Sequence, residues 1–571
     1  MNVSITIDGK KIDCDFSKTV IQVAQENGTS IPHFCWHPSL SVSGNCRMCL
    51  VDVGMPKRNR EGQIEVDVNG NPITQFMPKL AIACSTQVAD GMVVETKSDK
   101  IINAREAVME FILINHPLDC PICDEAGECK LQDYAYKHSV GESRFEFEKV
   151  QKPKRVAIGK NVMLDNERCI MCSRCIRFCD EIVKEPSLVF SERGDNVTLT
   201  TFPGTSLDNS YSMNTIDLCP VGALTSKDFR FKARVWDMSF TDSICVGCSR
   251  GCNTTVGVRN NEILRLTPRL NENVNSYWMC DDGRLNTFEF VNKNRIKQPM
   301  IKRDGKFSEC EWDEAISKTI SELKRFSPSE ILVIGSPFAT NEDNFLLKKF
   351  AKQVLKTENI CFFNHIVEGN KDELLILEDK TPNSFALKEF GFGNGNNFLQ
   401  MISEKKIRAV YLLEDNIATD ETIVNLLSNV DFIVTHSPNL NATTQIASVV
   451  FSSSTYAEKN GTLTNFEGRV QRIRPSVATL EHDRALDGFA MSRLDQFGAH
   501  NDRWTKGEKR DARSSWKIIL NVANGFGAKW KYNTAEDVFK EICLNVKSFE
   551  NMSYAKISNK GLLLKKMEMY V

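Results

Sequence analysis

The sequence lacks three features that would place it in a familiar special class. No stretch approaches the roughly 18 consecutive apolar residues of a membrane-spanning helix. Neither sign of charge dominates, since 72 Lys and Arg residues face 74 Asp and Glu residues, so no basic footprint for nucleic acid is present. The start, MNVSITIDGKKIDCDF, has neither a signal peptide's apolar region nor a transit peptide's Arg- and Ser-rich pattern, so we expect a cytoplasmic protein.

Cysteine, by contrast, is abundant and unevenly distributed. The 571 residues include 20 cysteines, of which 17 lie in residues 1–280 and three in residues 281–571. Cytoplasmic proteins rarely use cysteine for disulfides, so close spacing there indicates metal binding or catalysis. The composition therefore divides near residue 280, in a chain long enough for about three to five domains.

The first hundred residues have a mostly β pattern. Asp8-Gly9 predicts the turn of a hairpin, and a short helix that Ser17 can cap and Gly28 can end is expected next. The polar residues 54–80 predict a protruding hairpin between metal ligands.

The pattern after residue 300 is different. Strand-like EILVIGS (330–336), IRAVYLLED (407–415) and VDFIVTHS (430–437) alternate with helical segments, which predicts a parallel α/β sheet. The glycine-rich GFGNGNN (391–397) has no leading strand and no clear following helix, so we expect a loop and not a dinucleotide site. Residues 481–510 are interpreted as an inserted loop.

The first group of potential metal ligands is spaced C-x10-C-x2-C-x34-C: Cys35, Cys46, Cys49 and Cys84. Two thiolates separated by two residues can bind one metal centre from a single loop. A hairpin and helix before a Cys loop is typical of plant-type [2Fe–2S] ferredoxins, although the first gap there is x4. A structural zinc site is the alternative.

The second group is spaced H-x3-C-x2-C-x5-C: His116, Cys120, Cys123 and Cys129. Three cysteines and one histidine also suit zinc. On an iron–sulfur cluster, a neutral imidazole in place of a thiolate reduces the negative charge, and we expect it to raise the reduction potential, as it does in Rieske centres.

The third group, in ERCIMCSRCIRFC and DLCPVGAL, follows the bacterial ferredoxin signature C-x2-C-x2-C-x3-C with a later Cys-Pro. We predict that it holds one [4Fe–4S] cluster through Cys169, Cys172, Cys175 and Cys219. Cys179 is then a buried non-ligand or an alternative fourth ligand, because the remaining cysteines are too scattered to complete another cluster.

The fourth group is spaced C-x2-C-x3-C-x27-C: Cys245, Cys248, Cys252 and Cys280. A zinc ribbon is the alternative here. Together the four groups supply 15 cysteines and one histidine, and three four-iron clusters with one two-iron cluster would carry about fourteen irons. Such a set of clusters would transfer electrons between centres without a catalytic dyad or nucleophile.

The ordered set of four motifs resembles the G-subunit family of bacterial NADH–quinone oxidoreductase, respiratory complex I, the counterpart of the mitochondrial 75 kDa subunit. This resemblance implies a multidomain α+β and α/β protein. It predicts a β-grasp [2Fe–2S] ferredoxin domain (1–100), a [4Fe–4S] module with one histidine and three cysteine ligands (101–148), a ferredoxin-like [4Fe–4S] module (149–237), a small [4Fe–4S] domain of molybdopterin-oxidoreductase type (238–295) and a truncated, degenerate molybdopterin-oxidoreductase-like α/β domain (296–571).

The last domain also carries the resemblance. The segment EKNGTLTNFEGRVQ (458–471) is similar to the molybdopterin oxidoreductase superfamily. The position of its metal-binding Cys, selenocysteine or Ser falls near Val367, which cannot bind metal, and the nearby Cys361 is interpreted as a core residue. We therefore expect one [2Fe–2S] and three [4Fe–4S] clusters and no molybdopterin.

The resemblance implies an electron-relay subunit that passes electrons from NADH, through a partner's flavin, towards quinone. The fourth cluster would lie off the main route. Expected partners are a flavin- and NADH-binding subunit, a small [2Fe–2S] subunit and a two-cluster ferredoxin-like subunit, on the cytoplasmic face of the bacterial inner membrane. The alternatives are the catalytic subunit of an NAD-linked molybdenum formate dehydrogenase, an iron hydrogenase, or a structural zinc scaffold.

Overall fold

The computed structural model describes residues 2–481 and 507–565, so most of the predicted insertion at 481–510 lies outside the described residues. The chain forms two compact units, Met1–Val235 and Trp236–Val571. Within the described ranges, no helix combines the length and the apolar character needed to cross a bilayer. We call the two units the N-terminal and the C-terminal unit.

The N-terminal unit contains short strands and helices separated by long ligand-bearing loops. Its elements are β1 (Asn2–Ile7), β2 (Lys10–Asp15), α1 (Val20–Glu26), β3 (Leu50–Pro56), β4 (Thr74–Phe76), β5 (Ala81–Ile82), β6 (Val93–Glu95), α2 (Asp99–Leu113), α3 (Lys130–His138), β7 (Val156–Ala157), β8 (Val162–Leu164), α4 (Arg174–Arg177), β9 (Leu188–Ser191), β10 (Thr198–Thr201), α5 (Asn214–Leu218) and β11 (Leu224–Ser226).

The first strands form one mixed sheet, in the order β2-β1-β6-β3-β4 with β5 beside β3. The predicted hairpin turn is confirmed, because Asp8 and Gly9 both have positive φ angles, 47° and 81°, as a tight turn between twisted strands requires. The predicted helix is also present, but Thr19 and not Ser17 is its N-cap residue. The Gln22 side chain accepts a 2.9 Å hydrogen bond from the Thr19 backbone N–H, which completes a capping box that Ser17 is too far from the helix to form.

The segment between β3 and β4 extends from the sheet as the predicted hairpin arm. Backbone hydrogen bonds link Lys57 to Glu65 and to Ile73, so the arm folds back twice. Its turns are held by Asn59 and Asp67, whose side chains accept from backbone N–H groups two and four residues later. The arm explains the long gap between the third and fourth cysteines of the first group.

The C-terminal unit has the alternating pattern predicted after residue 300. Its elements are β12 (Ser239–Ile244), β13 (Asn253–Arg259), β14 (Glu262–Pro268), α6 (Asp281–Leu285), α7 (Glu289–Asn292), β15 (Met300–Arg303), β16 (Lys306–Glu309), α8 (Trp312–Leu323), β17 (Ile331–Gly335), α9 (Asn341–Phe350), β18 (Ile360–Phe362), α10 (Ser384–Glu389), β19 (Gly393–Asn394), α11 (Asn396–Ser403), β20 (Ala409–Leu412), α12 (Glu421–Leu427), β21 (Phe432–Ser437), α13 (Ala442–Ile446), β22 (Val449–Ser452), β23 (Gly461–Thr464), β24 (Arg469–Ile473), α14 (Ser515–Gly525), α15 (Ala535–Asn545), α16 (Tyr554–Ile557) and β25 (Leu562–Leu563).

An eight-stranded sheet organises this unit, in the order β16-β15-β22-β21-β20-β17-β18-β19. The six strands from β22 to β19 are parallel, which confirms the predicted α/β architecture, while β15 and β16 join antiparallel at one edge. Separate apolar clusters cover the two faces, because alternate residues of the central strands, such as Tyr411 and Leu412, point in opposite directions.

The prediction for the glycine-rich segment 391–397 is partly wrong, because a helix does follow it. Helix α11 begins at Asn396, and the two-residue strand β19 lies inside the segment. A Cβ atom on Gly395 would lie 2.7 Å from the Phe363 ring, so this glycine is explained by close packing against an aromatic side chain.

A buried ion-pair network lies where the central parallel strands end. Lys459 Nζ is 2.8 Å from an Asp343 carboxylate oxygen and 2.7 Å from one of Glu414, which follows β20. All three side chains are buried. Burial opposes ionisation of Asp343, but the ammonium of Lys459 beside it holds the pKa of this carboxyl below its usual range.

Replacing the lysine tests how far this network stabilises the sheet. We expect Lys459→Met to lower the free energy of unfolding by about 3–5 kcal/mol, because it leaves an uncompensated buried carboxylate. Hydrogen exchange of the β20 and β21 amides measures the effect. The matched control is Lys540→Met, at a lysine whose side chain is 64% exposed, which should change stability by less than about 0.5 kcal/mol. Equal effects of the two substitutions would contradict a stabilising role for Lys459.

Candidate iron–sulfur sites

The four thiols of the first group are arranged as two hydrogen-bonded pairs. Cys35 is paired with Cys46, which lowers the pKa of the Cys35 thiol to about 5 and raises that of Cys46. Cys49 and Cys84 form the second pair, in which the pKa of Cys84 is lowered and that of Cys49 is raised. A two-iron cluster needs two thiolates on each of two tetrahedral irons, and two close pairs match that requirement.

The pairs do not combine into a compact site for one ion. Among residues 2–481 and 507–565, no three His, Cys, Asp or Glu side chains are grouped tightly enough to hold a single metal ion.

The third group surrounds a cavity with about 330 Å³ of empty volume, including space open to solvent. Cys169, Cys172, Cys175 and Cys219 all line it, together with apolar side chains that include Phe190 and Leu199. Cys179 is fully buried but is not part of this lining. The loop with the C-x2-C-x2-C motif and the later Cys219-Pro220 loop thus contribute four thiols to one pocket.

Left-handed backbone conformations curve the ligand loops inward. Arg47 in the first group and Met171 and Ser173 in the third have φ angles of 56°, 54° and 62°, although none of them is glycine. The backbone N–H groups of Met171 and Arg174 donate hydrogen bonds to the sulfurs of Cys169 and Cys172. Such donors stabilise negative charge on sulfur.

The second group is assembled between α2 and α3. His116 follows α2, a 3₁₀ turn at Cys120–Ile122 begins with Cys120 and is followed directly by Cys123, and Cys129 is the N-cap residue of α3. Nδ1 of His116 is buried and has no hydrogen-bond partner among the described residues. Burial and the nearby Arg168 lower the pKa of His116 to about 4, so the imidazole is neutral and able to bind a metal.

The three groups of the N-terminal unit lie around one apolar cluster. Its buried members are Phe34, Met48, Met109, Leu131, Val221 and Ala223, and partly buried cysteines of all three groups pack against it, namely Cys46, Cys129, Cys169 and Cys219. Among the three groups, the third lies between the first and the second. Arg177 donates to the carbonyls of Cys35 and Cys172, and a Cβ atom on Gly222, close to Cys219 in the chain, would lie 2.4 Å from the Cys123 sulfur.

The fourth group belongs to the C-terminal unit. The Cys245 backbone N–H donates to the Cys252 carbonyl at 2.8 Å, and Cys280 is the N-cap residue of α6. The Gly283 N–H is 3.3 Å from the Cys280 sulfur, and a Cβ atom there would lie 2.9 Å from the Cys245 sulfur. Because Gly283 has no side chain, it leaves space beside the Cys245 and Cys280 sulfurs that a larger residue would fill. Burial raises the pKa of Cys245 and Cys252.

The position expected for a molybdenum ligand contains no such group. Val367 is half exposed, and Cys361 is a fully buried core residue of β18, as predicted. The edge of the sheet that binds ligands in doubly wound folds is occupied by the Lys459, Asp343 and Glu414 network.

Several residues at these sites are not identified by their spacing in the sequence. Gly222 and Gly283 lie beside cysteine sulfurs without being part of the cysteine spacings, and Arg174 and Arg177 lie within the third motif as ordinary basic residues. The two glycines follow a ligand cysteine by three residues, which is a signal that could have been found.

Comparisons with known proteins assign a family model to each region. The matched models describe a 2Fe-2S iron-sulfur cluster binding domain (1–99), a NADH-ubiquinone oxidoreductase-G iron-sulfur binding region (105–144), a NADH-quinone oxidoreductase subunit 3 ferredoxin-like domain (159–225), a NDSU1/NuoG-like 4Fe-4S domain (238–287) and a molybdopterin oxidoreductase domain (295–371 and 379–485). The predicted fold class is confirmed by these matches.

Curated relatives align with a little over three fifths of this chain. The G subunit of NADH-quinone oxidoreductase from Rickettsia bellii is 37% identical over 352 residues, which cover 62% of this chain and 48% of the relative. Subunit 3 of the Thermus thermophilus enzyme is 37% identical over 376 residues, 63% and 47% of the two chains. The mitochondrial 78 kDa subunit of Neurospora crassa is 37% identical over 364 residues, 63% and 46% of the two chains.

A chain in a crystal structure of NAD⁺-reducing [NiFe]-hydrogenase in the H₂-reduced state aligns at 27% identity and a TM-score of 0.33, over 41% of this chain and 91% of that chain.

The present protein spans about half the length of the curated relatives that it matches. With iron–sulfur family models matched along its first half and more than a third of the aligned residues identical, the protein resembles the G subunit of NADH-quinone oxidoreductase.

Proposed function

We propose that the chain is the iron–sulfur electron-relay subunit of an NADH:quinone oxidoreductase. Cys35, Cys46, Cys49 and Cys84 would hold a [2Fe–2S] cluster, and three [4Fe–4S] clusters would be held by His116 with Cys120, Cys123 and Cys129, by Cys169, Cys172, Cys175 and Cys219, and by Cys245, Cys248, Cys252 and Cys280. When bound, these clusters supply one-electron transfer.

The observation that carries this proposal is the shared apolar cluster of the N-terminal unit. One set of packed side chains contacts cysteines of three ligand groups. Electron transfer between centres needs short separations and a medium that excludes water, and this arrangement supports both. The middle position of the third group supports a path from the first group through the third to the second.

The residues present fit iron–sulfur clusters on three independent grounds. Four thiols converge on one cavity in the third group. A buried imidazole nitrogen without a partner among the described residues belongs to the second group. Gly283 leaves space between two sulfurs of the fourth group.

The partners follow from what this chain does not supply itself. The glycine-rich 391–397 is explained by packing, so NADH oxidation is assigned to a flavin-bearing partner subunit. A small [2Fe–2S] subunit and a two-cluster ferredoxin-like subunit complete the proposed arm, on the cytoplasmic face of the membrane. We assign the molybdopterin-oxidoreductase-like domain a scaffold role, because the Lys459 network fills the edge where a ligand would bind.

Metal analysis of the anaerobically purified chain is the direct test. We expect about fourteen irons per chain, with neither molybdenum nor tungsten. One molybdenum or tungsten per chain would contradict the scaffold assignment. About four zinc ions with little iron would show that the sites are structural and that no relay exists.

Paired substitutions test the ligands of the third cluster. We expect Cys219→Ala to lower the iron content by about four atoms per chain and to abolish one [4Fe–4S] signal in electron paramagnetic resonance (EPR) spectra of the reduced protein. Cys179→Ala is the matched control, since it removes a buried thiol that does not line the cavity, and its iron content should equal that of the unmodified chain. Loss of iron in Cys179→Ala together with full iron content in Cys219→Ala would identify Cys179 as the fourth ligand.

The histidine of the second group has its own test. We expect His116→Cys to retain a cluster but to lower its reduction potential, because a thiolate adds negative charge where a neutral imidazole stood. An EPR-monitored redox titration measures the midpoint. An unchanged midpoint in a fully loaded variant would exclude His116 as a ligand.

A further inference from the structure

Two arginines connect the loops of the first and third ligand groups. Arg174 donates hydrogen bonds to the Trp36 carbonyl, beside Cys35, and to the Leu218 carbonyl, beside Cys219. Arg177 donates to the Cys35 carbonyl at 2.6 Å and to the Cys172 carbonyl at 3.3 Å. Arg174 is 3% exposed, while Arg177 is partly buried.

Neither arginine is paired with a carboxylate in the part of the chain that the structure describes. The acceptors of Arg174 are backbone carbonyls alone, and its Nε has no partner there. Arg295, by contrast, is paired with a carboxylate, because both of its terminal nitrogens lie 2.7 Å from Glu458 oxygens. A buried charge without a counter-ion is strongly unfavourable, so the environment of Arg174 requires negative charge from another source.

Sulfur atoms are the negative groups that surround Arg174. Burial lowers the pKa of Arg174, and the largest electrostatic effects in the opposite direction come from negative charge on Cys172, Cys35 and Cys219. They belong to two different ligand groups, and Arg174 lies between them. An iron–sulfur cluster with four thiolate ligands carries a net negative charge, and each electron that it accepts adds one more.

We propose that Arg174, assisted by Arg177, is the shared counter-ion of the [2Fe–2S] cluster of the first group and the [4Fe–4S] cluster of the third, and that it raises the reduction potentials of both. This inference rests on the proposed function. Each cluster accepts one electron, with no bond formed or broken, from a reduced electron-transfer partner or, in the test, from dithionite. The fixed positive charge stabilises the more negative, reduced form of either cluster.

The arginines act as positioning and electrostatic residues, so the test measures a potential. The full chain, reconstituted anaerobically with iron and sulfide, is titrated with dithionite, and both clusters are followed by EPR. The signal of the third-group cluster is identified by its loss in Cys219→Ala. For Arg174→Met we expect the reduced-to-oxidised ratio of both clusters at a fixed potential to fall about tenfold, which corresponds to about 59 mV for one electron.

Arg174→Lys is the conservative variant. It keeps the charge, so both ratios should remain within about threefold of those of the unmodified chain. Arg105→Met is the matched control at a second buried arginine, which also donates to backbone carbonyls, those of Thr96 and Leu50. Its largest electrostatic interaction is with Cys49 of the first group. The substitution should shift the [2Fe–2S] ratio and leave the third-group ratio unchanged.

The outcomes separate this inference from the proposed function. An unmodified chain that binds no clusters would refute the proposed function before any potential is measured. Loaded clusters with unchanged ratios in Arg174→Met would overturn the counter-ion role alone. If Arg174→Met loses iron, Arg177→Met, at the less buried position, is titrated in its place. The same direction of shift is expected there, and unchanged ratios would overturn the inference.

Discussion

The burial of negative charge on sulfur is the constraint on which the N-terminal unit depends. Burial raises the pKa of thiols such as Cys175 well above the usual value, so ionising them without compensation is costly. The ligand loops reduce this cost with left-handed residues such as Met171, whose N–H donates to a ligand sulfur. The left-handed residues and the cavity lined by four thiols are consistent with loops that hold sulfur ligands.

The C-terminal unit also buries charged side chains, but it pairs some of them with opposite charges from its own residues. Two of its groups of buried charges are compensated within the chain, by Lys459 between Asp343 and Glu414 and by Arg295 against Glu458. A site whose charges are already paired offers a charged ligand little further stabilisation. The N-terminal unit leaves Arg174 without a carboxylate counter-ion among the described residues, so negative charge on nearby sulfurs would have to balance it.

Much of this structure was predictable from the sequence because its strongest signals are local. Cys motifs, the Asp8-Gly9 turn and the strand–helix alternation depend on residues close together in the chain, and each of these patterns appears in the structure. The cap at Thr19 was missed because two nearby residues were both suitable and only Gln22 distinguishes them. The role of Arg174 was unpredictable, because it arises from a contact with Trp36, which is far away in the sequence. The spacing of Gly222 after Cys219 was visible, but its contact with Cys123 was not.

The spatial order of the ligand groups differs from their order in the chain, and this difference has a physical use. Along the chain, the second group follows the first, with α2 between them. In the structure, the third group contacts the first through Arg177 and the second through Gly222. A centre placed between two others must accept an electron beside one negative cluster and release it towards another. In the proposed arrangement, the cations between the first and third groups favour keeping the electron on that pair of clusters. The transfer to the second group then depends on its own potential, which the neutral imidazole of His116 is suited to raise.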